Sequence, residues 1–437
     1  MFFIGGIIMN KKTKLLYDTH EKPTTGKLII LALQHVFAMF GATILVPLLV
    51  NEAAGTTVLT IPVTLVMSGI GTLIYILCTK GKSPVYLGSS FAYITPMVVA
   101  FAKGGQSGVA TGIITVGLIY ILFSFLIRLF GKAWIDKLLP PIVIGPMIMI
   151  IGLSLAPSAV NQIGLSSGVV AWKSLLVALI AFLVTVVTAV GAKGFLKVIP
   201  FLIGIASGYV AAVCLGMVDF TAVAEAKFFE LPKFLLPFKD YSFSLVGLLT
   251  MAPIAFVTFA EHIGDHMALG TIIDKDLIKD PGLEKTILGD GIATGIAGLF
   301  GGPANTTYGE NTSVVGMTKV ASVWVIGLAA IIAICMGFLG KLSAIFATIP
   351  NPILGGVSLL LYGFIAVNGL KVLVKNQIDF ENIRNVVIAS TMLVLGLGGA
   401  ILTLESGDIS VSITGMSLAA IVGILLNLFL PNKEETK

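Results

Sequence analysis

The sequence predicts an all-α polytopic membrane protein of fourteen transmembrane segments, folded as two seven-segment repeats of opposite orientation. Three observations carry this. Of 437 residues, 57% are hydrophobic and only 11% charged, with a mean hydropathy of +1.03, so a water-soluble fold would lack the polar surface to cover itself. The apolar residues gather in runs of the length a bilayer requires, about 20 residues for each crossing of roughly 30 Å of hydrocarbon. The lysines and arginines between those runs fall mostly on one side, as the positive-inside rule asks of a correct topology. A soluble enzyme is excluded. So is a nucleic-acid partner, because the net charge of +5 comes from basic residues spread between apolar runs and not from a basic face.

Residues 1–26 read as an amino-terminal tail whose first ten residues lack the basic start and cleavage site of a signal peptide. The first seven segments span 28–50, 56–79, 84–102, 108–130, 138–157, 174–192 and 198–217. The second seven span 243–268, 284–301, 303–318, 320–339, 343–370, 385–404 and 412–431, ahead of a tail at 432–437. Segments three and ten are weakly hydrophobic, and a plain hydropathy count would drop them. Keeping both leaves only Lys103, Lys173, Lys227, Lys233, Lys239 and Lys341 of the 27 Lys and Arg on the side away from the termini, so both are kept and both termini are assigned to the cytoplasm.

An odd-numbered unit duplicated in tandem inserts its second copy upside down, and the polar anomalies fall at matching places in the two halves. Segment one carries Gln34 and His35, while segment eight carries Glu261, His262, Asp265 and His266. Segments three and ten hold Pro84, Gly88 and Pro96, and Pro303, Thr306, Thr307 and Gly309, which suit a continuous helix poorly. Each is expected to be part extended and part helical. Extended backbone within a bilayer must be buried in protein or line a cavity, so the two stretches are expected to pair with each other, their half-helices aiming amide-rich ends at a central site.

Four of the 22 acidic residues fall inside the spans: Glu261, Asp265, Asp290 and Glu310. A carboxylate there is expensive and marks a functional site. Glu261 and Asp265, four apart, share a helix face, whereas Asp290 between two glycines reads as lying near the cytoplasmic end of segment nine or capping a helix. The histidines His35, His262 and His266 read individually as hydrogen-bonding partners of neighbouring helices. His262, Asp265 and His266 have the outline of an inverted zinc-protease motif, but the acid is Asp and no third ligand follows. No metal or cofactor is expected, and the scattered Cys78, Cys214 and Cys335 read as packing residues.

Taken together, Gln34-His35, the stretch from Tyr86 to Ala92, Glu261 with Gly264-Asp265, and Glu310-Asn311 through Thr318-Lys319 resemble the motifs of the nucleobase-ascorbate (nucleobase:cation symporter-2) transporters, with the bacterial uracil carriers nearest in likeness. The resemblance covers about residues 25 to 430 and departs from the segment-ten signature once, with Ser313 where Gly is usual. It implies a core domain (27–130 and 243–340) and a gate domain (131–242 and 341–431), commonly in a homodimer within the cytoplasmic membrane. It also implies proton-coupled uptake of uracil, with Phe91, Glu261, Gly309 and Glu310 at the substrate and Ala42 and Tyr308 close by. His35, His262, Asp265 and Glu261 are implied in proton coupling.

The chemistry agrees independently, because the uracil edge alternates N–H donors and carbonyl acceptors, and carboxylates plus free backbone amides complement it. The alternatives are a carrier of another nucleobase such as xanthine, an anion carrier of the same architecture, and an intramembrane hydrolase built on His262 and His266. Small residues in segments five and twelve, among them Gly145, Gly355 and Gly356, are expected to form the gate surface facing the core.

Overall fold

The computed structural model describes residues 15–168, 171–406 and 409–431, so the readings of the first and last residues as tails fall partly outside it. The chain is mainly helical. The first two apolar runs become α1 (Thr25–Ala54) and α2 (Ile61–Cys78). Segment three then opens as a short strand, β1 (Leu87–Ser89), passes through a tight turn at Phe91–Tyr93 and continues as α3 (Ile94–Phe130). A break at Gly105, with φ 55° and ψ −152°, divides α3 into the helical half of segment three and the whole of segment four. After α4 (Ala133–Leu138) come α5 (Pro141–Ser154), α6 (Ala156–Ile163), α7 (Trp172–Gly191), α8 (Pro200–Cys214) and the short α9 (Thr221–Glu225).

The second half begins with α10 (Leu245–Met251) and α11 (Ile254–Ile273), bent by 42° at the break before Pro253's successor. Proline lacks the N–H that would continue the ladder, so segment eight is not one straight run. It continues with α12 (Leu283–Leu299), β2 (Asn305–Thr307), α13 (Gly309–Thr318), α14 (Val323–Gly337), α15 (Gly340–Ala347) and α16 (Asn351–Lys375). The break between α15 and α16 corrects the single run expected at 343–370, because Pro350 and Pro352 restart the helix.

A second correction concerns the carboxyl-terminal spans. α17 (Ile383–Leu397) stops early, and β3 (Ile401–Ser406) and β4 (Ile409–Thr414) form an antiparallel hairpin before α18 (Gly415–Phe429). The period-two alternation Ile409-Ser410-Val411-Ser412-Ile413 favours a strand, which a hydropathy average conceals. Six helices are long and apolar enough to cross a membrane, or seven if the bent α10–α11 pair is one span, and four shorter apolar helices accompany them among the described residues.

Two packing groups emerge. In one, α3 lies against α10 and α12, α2 against α12 and α14, and α1 against α14. In the other, α16 lies against α5, α6, α7 and α8, and α17 against α5 and α18. Gly355 serves this second group internally: a Cβ there would lie 2.8 Å from the Ala159 carbonyl oxygen and 2.9 Å from Gln162 Cβ, both on α6. Gly145 likewise faces Leu373 and Gly369 of α16. These glycines therefore let helices of the second group approach one another, and the expectation that they form a surface facing the other group is corrected.

The expected pairing of segments three and ten is present. β1 runs antiparallel to β2 in the register Leu87–Thr307, Gly88–Thr306 and Ser89–Asn305. The pair is flanked by bonds from Ser90 N–H to the Ala304 carbonyl (2.9 Å) and from Tyr308 N–H to the Tyr86 carbonyl (3.1 Å). On its outer edge Thr72 Oγ1 accepts from Leu87 N–H at 2.9 Å, and Ser68 Oγ donates to the Leu87 carbonyl at 2.7 Å. Side chains of α2 thus supply the partners that an apolar surrounding would deny this short sheet. Gly88 is required here, since a Cβ would run into the Tyr308 ring.

Candidate functional site

The β1–β2 crossing leaves two helix starts side by side, and next to them lies a cavity of about 480 Å³. One wall is built around the β1–β2 crossing: Phe91 from the turn before α3, Glu261 and Asp265 from α11, which packs on α13, and Thr306 to Glu310 with Ser313 from β2 and α13. The opposite wall comes from the second group: Lys197, Pro200 and Phe201 around the start of α8, and Leu361, Phe364, Asn368 and Lys371 from α16. The acids sit on one wall and the lysines on the other.

Each acid owes its position to local backbone. Glu261 and Asp265 are one turn apart on α11, so both face the cavity. Thr307 Oγ1 donates to Asp265 Oδ2 and fixes that carboxyl, while Glu261 Oε2 is buried and has no hydrogen-bond partner among the described residues. Glu310 lies in the first turn of α13, where the backbone N–H groups have no intrahelical acceptor and favour negative charge. Ser313 Oγ donates to the Gly309 carbonyl at 2.9 Å and so ties the first turn of α13 back on itself. Tyr308 meets Thr43 Oγ1 at 3.1 Å and Ser89 Oγ at 3.2 Å, joining α1, β1 and β2 at one point behind the cavity.

Of the residues singled out from sequence, the cavity gathers Phe91, Glu261, Asp265, Tyr308, Gly309 and Glu310. His35, Ala42 and His262 stand behind it. His35, 1% exposed on α1, meets Asn311 Nδ2 through Nδ1 at 3.1 Å, and Asn311 Nδ2 also donates to the His35 carbonyl at 3.1 Å. It therefore braces the residue next to Glu310. Ala42 packs in an apolar cluster with Tyr86 and Tyr308.

His262 Nδ1 is 2.9 Å from Asp290 Oδ2, and its Nε2 is 3.1 Å from Thr286 Oγ1. Asp290 thus sits buried in the middle of α12, and the reading of it as a helix cap or a helix end is corrected. The pairing with His262 across α11 and α12 is why that position tolerates an acid. His266 Nδ1 donates to the His262 carbonyl at 2.7 Å, which leaves its Nε2 to face Tyr75 Oη at 2.5 Å. A backbone carbonyl only accepts, so the two imidazoles do not form one continuous proton path, and the arrangement clamps α2, α11 and α12 together.

Sequence reasoning missed Lys197, Asn368 and Lys371, which had been read only as topological charges or as part of an apolar run. It also missed Thr307 as the partner of Asp265. The signal available for Asn368 was an amide two residues beyond Ala366 in an otherwise apolar segment.

The model of a permease family matches residues 26–405. The chain belongs to this family, the nucleobase-ascorbate transporters. This permease is 48% identical over 434 residues, 98% of each chain, to the uracil permease of Bacillus subtilis. It is 40% identical over 419 residues to the uracil permease of Escherichia coli K12, covering 95% of this chain and 94% of that one. The fold also resembles the transmembrane domain of the cyanobacterial bicarbonate transporter BicA, with a TM-score of 0.59 and 16% identity over 94% of this permease and 100% of that chain. SLC26A9 gives a TM-score of 0.68 at 14% identity, covering 93% of this permease and 66% of that chain. The permease is a multi-pass membrane transporter, and the apolar helices fit that assignment.

Proposed function

We propose that this permease carries uracil across the cytoplasmic membrane by proton symport. The observation that carries the reading is the first cavity wall, which joins an unpartnered Glu261 oxygen, the acid and free amides at the start of α13, and the Phe91 ring. Carboxylates accept from the two uracil N–H groups, backbone amides donate to its carbonyls, and the aromatic ring stacks on its face. Relatives named uracil permease over nearly the full chain support the same substrate. An anion carrier fits less well, because three carboxylates on one wall repel an anionic cargo.

In the same reading, fourteen crossings place both termini in the cytoplasm, and the first packing group is the core that carries the site while the second is the gate. Lys371 lies toward the end of α16 whose Lys375 shares a surface groove with Asp274 and Lys275, and Lys275 bonds Asp18 of the amino-terminal stretch, so in this reading the cavity has its mouth at that end and opens inward. Displacement of core against gate then exposes the site to the other side, with the proton held on the Glu261–Asp265 pair during entry. The protein is a homodimer in lipid, which the mass of the solubilised particle tests.

Uptake of labelled uracil into proteoliposomes with and without an inward proton gradient tests the function. Gradient-driven accumulation is expected, and uptake indifferent to the gradient rejects symport. Competition by unlabelled bases separates uracil from xanthine as the preferred cargo.

A further inference from the structure

The chain passes between the two packing groups at 131–140, at 215–244 and at 338–350. The second and third passages are bonded to each other. Glu230 N–H donates to the Phe338 carbonyl at 3.0 Å, and Gly340 N–H donates to the Phe228 carbonyl at 3.1 Å. These two bonds make Phe229 and Leu339 an antiparallel bridged pair. The approach depends on glycine: a Cβ on residue 340 would lie 2.6 Å from the Lys227 carbonyl oxygen and 3.0 Å from Glu230 Cβ.

Further contacts fasten this junction at both ends. On the core side, Leu235 N–H donates to the Phe300 carbonyl at 3.2 Å, Tyr241 Oη donates to the Leu299 carbonyl at 2.9 Å, and the Phe234 and Phe300 rings meet edge to face with centroids 6.2 Å apart. On the gate side, Tyr209 Oη of α8 lies 2.6 Å from Thr348 Oγ1, and Lys173 Nζ of α7 donates to the Leu215 carbonyl at 2.9 Å. The junction also lies far from the cavity mouth. α16 starts just after the third passage at Asn351 and carries Lys371 near its other end, a separation of about 30 Å at 1.5 Å per residue.

Two independent crossovers would give two hinges that need not move together, whereas zipped crossovers give one. We propose that the passages at 215–244 and 338–350 act as a single strap, closed throughout transport, about which the two helix groups swing at the end opposite the cavity mouth. The inference rests on the core-against-gate reading above.

A bridged pair whose flanking residues make the hydrogen bonds has its Cα atoms about 4.5 Å apart, within the roughly 4.4–6.8 Å that a disulfide spans. Phe229→Cys with Leu339→Cys, in a chain whose Cys78, Cys214 and Cys335 are replaced by alanine, therefore locks the strap on oxidation. The expected result is uracil uptake at half or more of the rate of the same protein reduced. Loss of uptake on oxidation with recovery on reduction overturns the strap, because it shows that the crossovers must part.

Gly340→Val unzips the pair from the other direction. It is expected to lower uptake at least tenfold while uracil binding, measured by calorimetry, stays within threefold. Unimpaired uptake in that variant overturns the strap as well. A second cross-link separates this inference from the reading beneath it. The rings of Phe37 on α1 and Phe195 between α7 and α8 meet across the two groups with centroids 6.4 Å apart, at the other end of α8 from the strap, and cysteines at these positions joined by a short bifunctional thiol reagent tie core to gate. That cross-link is expected to stop uptake. If it stops uptake and the oxidised strap does too, the strap alone fails. If uptake survives the Phe37–Phe195 cross-link, core-against-gate movement fails and the strap falls with it.

Discussion

One wall of the cavity is made of helix starts and paired strands carrying three carboxylates, and the other of helix flanks carrying Phe201, Phe364 and two lysines. The difference lies in the backbone before it lies in the side chains. At the first wall the chain is extended at Asn305–Thr307 and begins a helix at Gly309, so main-chain amides are free for a ligand. Along α16 at the second wall each N–H is already bonded within the helix, which leaves only side chains to meet a substrate. In the proposed mechanism the polar, irregular wall orients the cargo and the smoother wall moves past it.

The sharpest way to break this contrast is Glu261→Gln. An amide keeps one acceptor oxygen and cannot cycle a proton, so proton-driven accumulation is expected to vanish while uracil exchange persists. Gradient-driven uptake at the wild-type rate would remove Glu261 from coupling. The next largest effect is expected from Glu310→Gln, which should weaken uracil binding by roughly 1–3 kcal/mol if its carboxylate accepts a uracil N–H. Calorimetry checks it, and unchanged affinity would make Glu310 structural.

A matched pair of substitutions then compares the walls directly. Phe91→Leu is expected to cost about 1 kcal/mol of binding, roughly fivefold in Kd, through lost stacking. Phe364→Leu is expected to change Kd less than about twofold if the second wall contributes apolar cover without a fixed orientation. Equal losses in the two variants would mean that both walls grip the ring.

The smallest effect concerns what braces the acidic wall from outside. Leu16 N–H donates to the Lys319 carbonyl at 2.7 Å, and Lys275 Nζ, just beyond α11, donates to Asp18 Oδ1 at 2.6 Å. Burial pushes the Asp18 carboxyl up, but the hydrogen bond and charge of Lys275 outweigh that and hold it below its ordinary 3.8. The pair is partly exposed, so Asp18→Asn is expected to cost less than about 1 kcal/mol at neutral pH. A depressed carboxyl contributes above its unfolded pKa and loses that contribution as pH falls through the lower folded value. The gap in thermal stability between wild type and variant should therefore close as acid passes below the ordinary carboxylate range, and a gap that persists there would assign the effect to packing.

Composition and the spacing of charges were enough to make this a polytopic helical membrane protein, since a chain this apolar has no aqueous fold open to it. Proline and glycine at Pro84, Gly88, Pro303 and Gly309 marked the two segments that leave the helix, because their backbone constraints act locally wherever they sit. Glu261, Asp265 and Glu310 stood out because an acid in an apolar run is costly and needs a cause. Partnership was not legible. That Asp290 serves His262, that Thr307 holds Asp265, and that Gly355 packs on α6 depend on which helices become neighbours, and residues 28 or 42 positions apart carry no local sign of meeting. The place of Lys197 and Lys371 in the cavity wall was likewise settled only by packing, whereas the strand at 409–414 had a local sign in its period-two alternation that a hydropathy average conceals. Hydropathy records how apolar a stretch is, and the tertiary structure decides which of its faces finds a partner, a ligand or lipid.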